Sequence, residues 1–147
     1  MKIIETTLPG VLLIEPNMFR DERGFFLESY HRDKLRDAGI HDEWVQDNHS
    51  KSSQGVLRGL HFQNPCAQAK LCRVVSGAVW DVAVDIRRGS PTFGQWFGAV
   101  LSAENMTQIY VPQGFAHGFL VISETAEFLY KCSDVYSKES EGGIAWN

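Results

Sequence analysis

From Val56 onward the chain is a succession of short apolar or alternating runs, cut by glycine, proline or polar turns, with almost no helical period. Successive side chains of an extended segment point to opposite faces, so each run buries its apolar face only by pairing with others in a sheet. The pattern predicts an all-β fold. The candidate strands are Val11 to Pro16, Gly24 to Tyr30, Val56 to Phe62, Ala69 to Ser76, Ala78 to Ile86, Trp96 to Leu101, Gln108 to Val111, Gly118 to Ile122 and Glu127 to Cys132. A tight turn is expected at Ser76-Gly77, and longer connections at Arg88-Gly89-Ser90-Pro91 and Ser102-Ala103-Glu104-Asn105. Only Arg32 to Ala38, stopped by Gly39, reads as helix.

The segment Ala78 to Ile86 sharpens this. Val79, Asp81, Ala83 and Asp85 share one face, while Trp80, Val82, Val84 and Ile86 share the other. An entirely apolar face backed by one with two acids suits a small barrel or jelly roll whose interior holds a polar site. At 147 residues, residues 1-147 are expected to form one domain with a core of its own. A net charge of -4 gives no broad basic field, which argues against nucleic acid but leaves an anionic small molecule open. Cys66, Cys72 and Cys132 form neither an even framework nor a CxxC pair and are expected to be inert thiols in a reducing compartment. Residues Met1 to Thr7 show no charged-then-apolar leader, and no apolar run reaches membrane-spanning length, so the expected location is the cytoplasm, away from any membrane.

Pro112-Gln113-Gly114-Phe115-Ala116-His117 reads as half of a metal-binding signature. Its upstream counterpart, Leu57-Arg58-Gly59-Leu60-His61-Phe62-Gln63, has Phe62 and Gln63 where a second ligand would stand. One histidine per motif does not assemble a three-ligand open site, so the expectation is no metal, with His61 an acid or base in its own right. A lone strand histidine is more often a half-buried structural one. Strict alternation puts Arg58 and His61 on opposite faces; they reach one pocket only if the strand is distorted near Gly59. Lys70 begins the next strand, where an inward ammonium is costly unless it meets an anion or an acid; a solvated strand end is the bland reading. Tyr130 fits a core position, yet a phenol facing a polar interior can supply a proton. Taken together, the three supply a base, an oxyanion stabiliser and an acid, the parts of an epimerisation or isomerisation beside a carbonyl. Arg20, Arg23 and Arg58 are candidates for planar pairing with a diphosphate.

Phe19-Arg20-Asp21-Glu22-Arg23-Gly24-Phe25-Phe26, Gln46-Asp47-Asn48-His49-Ser50, Leu57 to Gln63, Pro91-Thr92-Phe93-Gly94 and Pro112-Gln113-Gly114-Phe115-Ala116-His117-Gly118-Phe119 closely resemble the dTDP-4-dehydrorhamnose 3,5-epimerase family. The likeness runs from the first residues to the last. It implies a cupin-type double-stranded β-helix, a homodimer with a swapped N-terminal strand, no metal or other cofactor, and a dTDP-linked 4-keto-6-deoxy sugar as substrate. By resemblance His61 is the base at C3 and C5, Lys70 stabilises the enolate oxygen at C4, and Tyr130 is the acid for the opposite face. Arg23 and Glu28 match contacts made across the dimer. Gln46, Asp47, Asn48, Arg58, His117 and Glu141 match further substrate contacts, and Tyr136 the aromatic that stacks on thymine. The family continues past the point matched by Gly143 to Asn147 into a segment carrying an aspartate paired with the catalytic histidine; Asp81 is the candidate replacement within these residues. Epimerisation at C3 alone, keto-isomerisation, a binding paralogue or fragment without turnover, and a metal cupin are the alternatives left open by the sequence.

Overall fold

The computed structural model describes residues 1–147. Thirteen strands, one α-helix and a short 3-10 turn follow one another along the chain. One sheet has six strands in the order β1 (Lys2–Glu5), β2 (Leu12–Glu15), β10 (Gln108–Val111), β7 (Lys70–Ser76), β12 (Thr125–Cys132) and β5 (Gln46–Ser53). Facing it is a sheet of five: β13 (Glu141–Gly143), β6 (Leu57–Gln63), β11 (Phe115–Val121), β8 (Ala78–Asp85) and β9 (Trp96–Ser102). The hairpin β3 (Met18–Asp21) and β4 (Gly24–Leu27) stands apart from both. Every pairing is antiparallel, and the two sheets make a jelly roll, the closed β architecture read from the sequence.

Alternation explains the layers. Val79, Asp81, Ala83 and Asp85 of β8 are buried, whereas Trp80 is exposed and Val82 and Val84 are partly so, which makes the acid-bearing face the inner one. Cys72 and Val74 of β7, Ile109 and Val111 of β10, and Ala126 and Phe128 of β12 meet Val79, Ala83, Phe115, Phe119, Val121 and Leu101 from the other sheet. A second cluster lies outside the six-stranded sheet, where helix α1 (Arg32–Asp37) and the turn after it lay Leu35 and Ile40 on Ile14 and Leu71. This helix is capped by His31, whose ring accepts from the Lys34 N–H, and ends before Gly39 at φ +85°.

Four strands, β1, β3, β5 and β13, carry no clear alternation and were not expected from it. The strand β5, Gln46-Asp47-Asn48-His49-Ser50-Lys51-Ser52-Ser53, is polar throughout because it is an edge strand whose inner face borders a polar cavity. The Ser76-Gly77 turn differs in role from a hairpin: β7 and β8 belong to different sheets, so the chain crosses there from one layer to the other. Gly77 has φ +73°, and a Cβ would lie 2.0 Å from the Thr125 carbonyl oxygen. The longer connection after β8 is held by Asp85, whose buried carboxylate accepts from the Arg87 backbone and guanidinium, Ser90 and Thr92. No helix is long and apolar enough to cross a membrane.

Candidate active site

The cavity begins with a distortion in β6. His61 lies opposite His117 of β11, and Arg58 lies opposite Phe119, so three steps along β6 match two along β11. The extra residue is a bulge, and Gly59 sits in it at φ +113°. Directly opposed residues of an antiparallel pair share a face, and His117 and Phe119 both point inward. Arg58 and His61 are thereby turned to the same side, as the sequence required if both were to serve one pocket. A Cβ on Gly59 would stand 2.6 Å from Gly118 Cα and from the His117 carbonyl oxygen, which is why this crossing has two glycines face to face.

Inside the roll, a cavity of about 330 Å³ is lined by Arg58, His61, Lys70, His117, Phe128 and Tyr130, with Ser50 and Phe119 beside them. Lys70 is the inward residue at the start of β7, in register with Cys132, and Tyr130 faces Cys72 on one side and Asn48 on the other. The Lys70 ammonium lies 5.9 Å from the centre of the Tyr130 ring and pairs with no acid. A half-buried, unpaired ammonium facing a cavity without a lining carboxylate suits an anionic ligand. The Arg58 Nε donates to Ser52 Oγ at 2.9 Å, which steadies the guanidinium. Burial pushes the Tyr130 phenol above its ordinary value, so it keeps its proton into alkaline solution. The His61 ring makes no hydrogen bond to the chain and is exposed at the cavity mouth.

A second group adjoins the cavity. The Tyr136 hydroxyl donates to Glu141 Oε2 at 2.8 Å, the Tyr136 backbone N–H donates to Gln46 Oε1 at 2.8 Å, and Gln46 donates to Asn48 at 3.0 Å. β13 then sets Glu141 against Gln63 and Gly143 against His61, along the edge of β6. Gln46, Asn48, Tyr136 and Glu141 thus form one continuous rim.

Three expected residues lie elsewhere in the chain. Asp47 pairs with Lys131 at 3.0 Å on the outer face of the six-stranded sheet, since alternation turns it away from its neighbours Gln46 and Asn48. Arg23 bonds Asp21 at the tip of the separate hairpin, and Glu28 bonds Lys34 of α1 at 2.7 Å, so neither reaches the cavity of its own chain. Asp81 corrects an expectation. Both of its oxygens lie 2.9 and 3.0 Å from His117 Nε2, so it is committed to His117 and does not serve His61. The residues missed outright were Ser50 and Ser52, hidden in a strand whose polarity left no pattern to read. No group of three His, Cys, Asp or Glu side chains is placed to hold a metal ion.

A sequence profile of dTDP-4-dehydrorhamnose 3,5-epimerase matches residues 5–147. The chain is 58% identical over 149 aligned residues to dTDP-4-dehydrorhamnose 3,5-epimerase from Shigella flexneri, covering 100% of this chain and 82% of the relative. Its fold superposes with a TM-score of 0.97, at 53% identity, on dTDP-6-deoxy-D-glucose-3,5-epimerase from Legionella pneumophila in complex with dTDP-4-keto-L-rhamnose, over 99% of this chain and 78% of that one. The Bacillus anthracis dTDP-4-dehydrorhamnose 3,5-epimerase, with TDP and PPi bound, gives a TM-score of 0.96 at 49% identity, over 99% and 85% of the two chains.

Proposed function

Since the chain belongs to the dTDP-4-dehydrorhamnose 3,5-epimerase family, we propose that it epimerises a dTDP-linked 4-keto-6-deoxy-hexose at C3 and C5, a step of the dTDP-L-rhamnose pathway. The observation that carries this reading is the convergence of His61, Lys70 and Tyr130, from three different strands, on one cavity that has cations and no carboxylate in its lining.

A proton next to a carbonyl leaves readily only if the charge arriving on the oxygen is stabilised as it develops. His61, free of other hydrogen bonds at the cavity mouth, takes the proton from C3; once it has released that proton to solvent and Tyr130 has regained one, it takes the proton from C5 in a second round. Lys70 has no competing acid and stabilises the enolate oxygen at C4. Tyr130, kept protonated by burial, returns a proton to the opposite face of the ring, which inverts the centre. Arg58, held by Ser52, contacts the diphosphate, and His117 contacts the substrate from the cavity wall. Tyr136 is exposed, suited to stacking on thymine, with Gln46, Asn48 and Glu141 as the remaining contacts on the rim.

The proposal includes a homodimer. Trp80, Val82, Val84, Trp96 and Leu120 line an apolar depression of about 420 Å³ on the outside of the five-stranded sheet, a surface that a monomer rarely leaves open to water. Arg23 and Glu28, which do not reach their own cavity, would then complete the partner's from a swapped N-terminal strand. Three free thiols, two of them buried, support a cytoplasmic location. The test is a split between binding and turnover. His61→Ala should bind dTDP by calorimetry with affinity close to that of the native protein while losing epimerisation; native turnover in that variant would remove the assignment.

A further inference from the structure

Beneath the cavity wall lies a buried pair that the three proton-handling residues do not use. Asp81 is completely buried and His117 nearly so, at 6% exposure. A carboxylate only accepts hydrogen bonds, and here both of its oxygens converge on one ring nitrogen, Nε2, at 2.9 and 3.0 Å. That nitrogen must therefore carry the proton. The remaining surroundings hold the ring in place: Phe128 stacks at 6.3 Å between centroids, and Cys72 Sγ lies 3.9 Å from Nε2. Burial drives the Cys72 thiol well above its ordinary value, so it adds no charge.

The other ring nitrogen is in a different position. His117 Nδ1 bonds to nothing in the chain, yet no side-chain nitrogen or oxygen is both buried and without a partner, and His117 lines the cavity. Nδ1 therefore opens on the cavity. The two cavity cations leave the carboxylate alone: Arg58 bonds Ser52, Lys70 stands against Tyr130, and the sole side-chain hydrogen-bond partner of Asp81 is His117. Taking a carboxylate out of water is costly, and such pairs are weak contributors to stability. A pair whose free end faces the reaction space is better explained by what it presents there.

We propose that Asp81 is a positioning residue for this reaction, acting through His117. It locks the imidazole in the Nε2–H tautomer and so presents Nδ1 as an acceptor for a hydroxyl of the bound sugar. The inference rests on the epimerase reading for its ligand class. The geometry between Asp81 and His117 does not depend on that reading.

The experiment pairs nitrogen NMR with a kinetic cycle. In 15N-histidine protein the ring of His117, assigned by its loss in His117→Gln, should show a protonated Nε2 and an unprotonated Nδ1, and only the Nδ1 signal should move strongly on adding dTDP-4-keto-6-deoxy-hexose. A protonated Nδ1 with a bare Nε2 in the free protein would overturn the proposal even if every variant of Asp81 failed to fold. Asp81→Asn should lower kcat/KM by roughly 10- to 100-fold in the native background, the scale of one lost hydrogen bond. In the His117→Gln background the same change should cost less than about 3-fold, because the residue it acts through is already gone. Equal losses in both backgrounds would assign Asp81 to stability alone. Should the native protein show no epimerisation, the epimerase reading fails, while the tautomer and its response to dTDP-sugar still decide the role of Asp81.

Discussion

Replacing Gly59 by alanine tests whether the bulge in β6 creates the site. Gly59 has φ +113°, a region that a residue with a Cβ holds at a cost of about 1–3 kcal/mol. The new methyl would also meet Gly118 Cα and the His117 carbonyl oxygen at 2.6 Å, well inside the 3.4 Å at which ordinary contact begins. Both neighbours are backbone of β11, paired on its far side to β8, so they give way only by moving a strand, at a further cost of about 1–3 kcal/mol. The combined penalty, about 2–6 kcal/mol, is a large share of the roughly 5–15 kcal/mol that keeps a domain folded. For a chain of this size it lowers Tm by about 10 °C. The same displacement separates Arg58 and His61 from His117, so turnover should fall more steeply than the folded fraction. Urea unfolding and circular dichroism melting read the first effect, and initial rates normalised to folded protein read the second. A Gly59→Ala protein melting within about 2 °C of the native one with full specific activity would refute the argument from close approach.

Lys70→Met preserves length and removes the charge; if the ammonium acts on the enolate, kcat should drop by roughly 10²–10³ with little change in KM, and unchanged kcat would exclude it from that role. The acid role proposed for Tyr130 carries a pH signature. Because burial raises its pKa, the protonated form persists above 10.0, the ordinary value, and the alkaline decline of kcat assigned to it should begin only beyond that point. Tyr130→Phe should abolish that decline together with most turnover, by roughly 10²–10⁴. Asp85 is held well below the usual carboxylate range, chiefly by Arg87 and then by Ser90 and Thr92. Its stabilisation is therefore complete above the ordinary aspartate value and is lost as pH falls through the lowered one. Asp85→Asn should cost about 2–4 kcal/mol at neutral pH, with less loss of stability between about pH 5 and pH 2 than the native protein shows. Guanidinium unfolding across that window measures both.

The sheet face carrying Asp81 and Asp85 was legible because a two-residue alternation survives wherever one side of a strand is apolar, as it is in β8. For the same reason β5 was invisible: of its inner residues Ser50 lines the cavity, Ser52 holds Arg58 and Asn48 stands beside Tyr130, its outer ones meet solvent, and neither face needs to be apolar. The inward turn of Arg58 and His61 was recognisable as a condition on Gly59, but whether the strand bulges depends on Gly118, more than fifty residues away in sequence and in contact only after folding. Asp47 was grouped with Gln46 and Asn48 by motif, although a three-residue run in a strand cannot send all its side chains to one face. Asp81 was placed on the correct face but given the wrong histidine, because register between β8 and β11 aligns it with Phe119, one inward step from His117, while His61 lies a strand further away. Distances across a closed sheet are set by register, and no local pattern carries them.

The most direct measurement is proton NMR of the dTDP-4-keto-6-deoxy-hexose incubated with the protein in D₂O. A cavity in which His61 removes protons on both sides of the C4 carbonyl, with Lys70 holding the enolate and Tyr130 reprotonating, predicts loss of the C3 and C5 proton signals as deuterium enters at both positions. Exchange at C3 alone would narrow the reaction to a single centre. Retention of both signals under saturating protein would contradict the account.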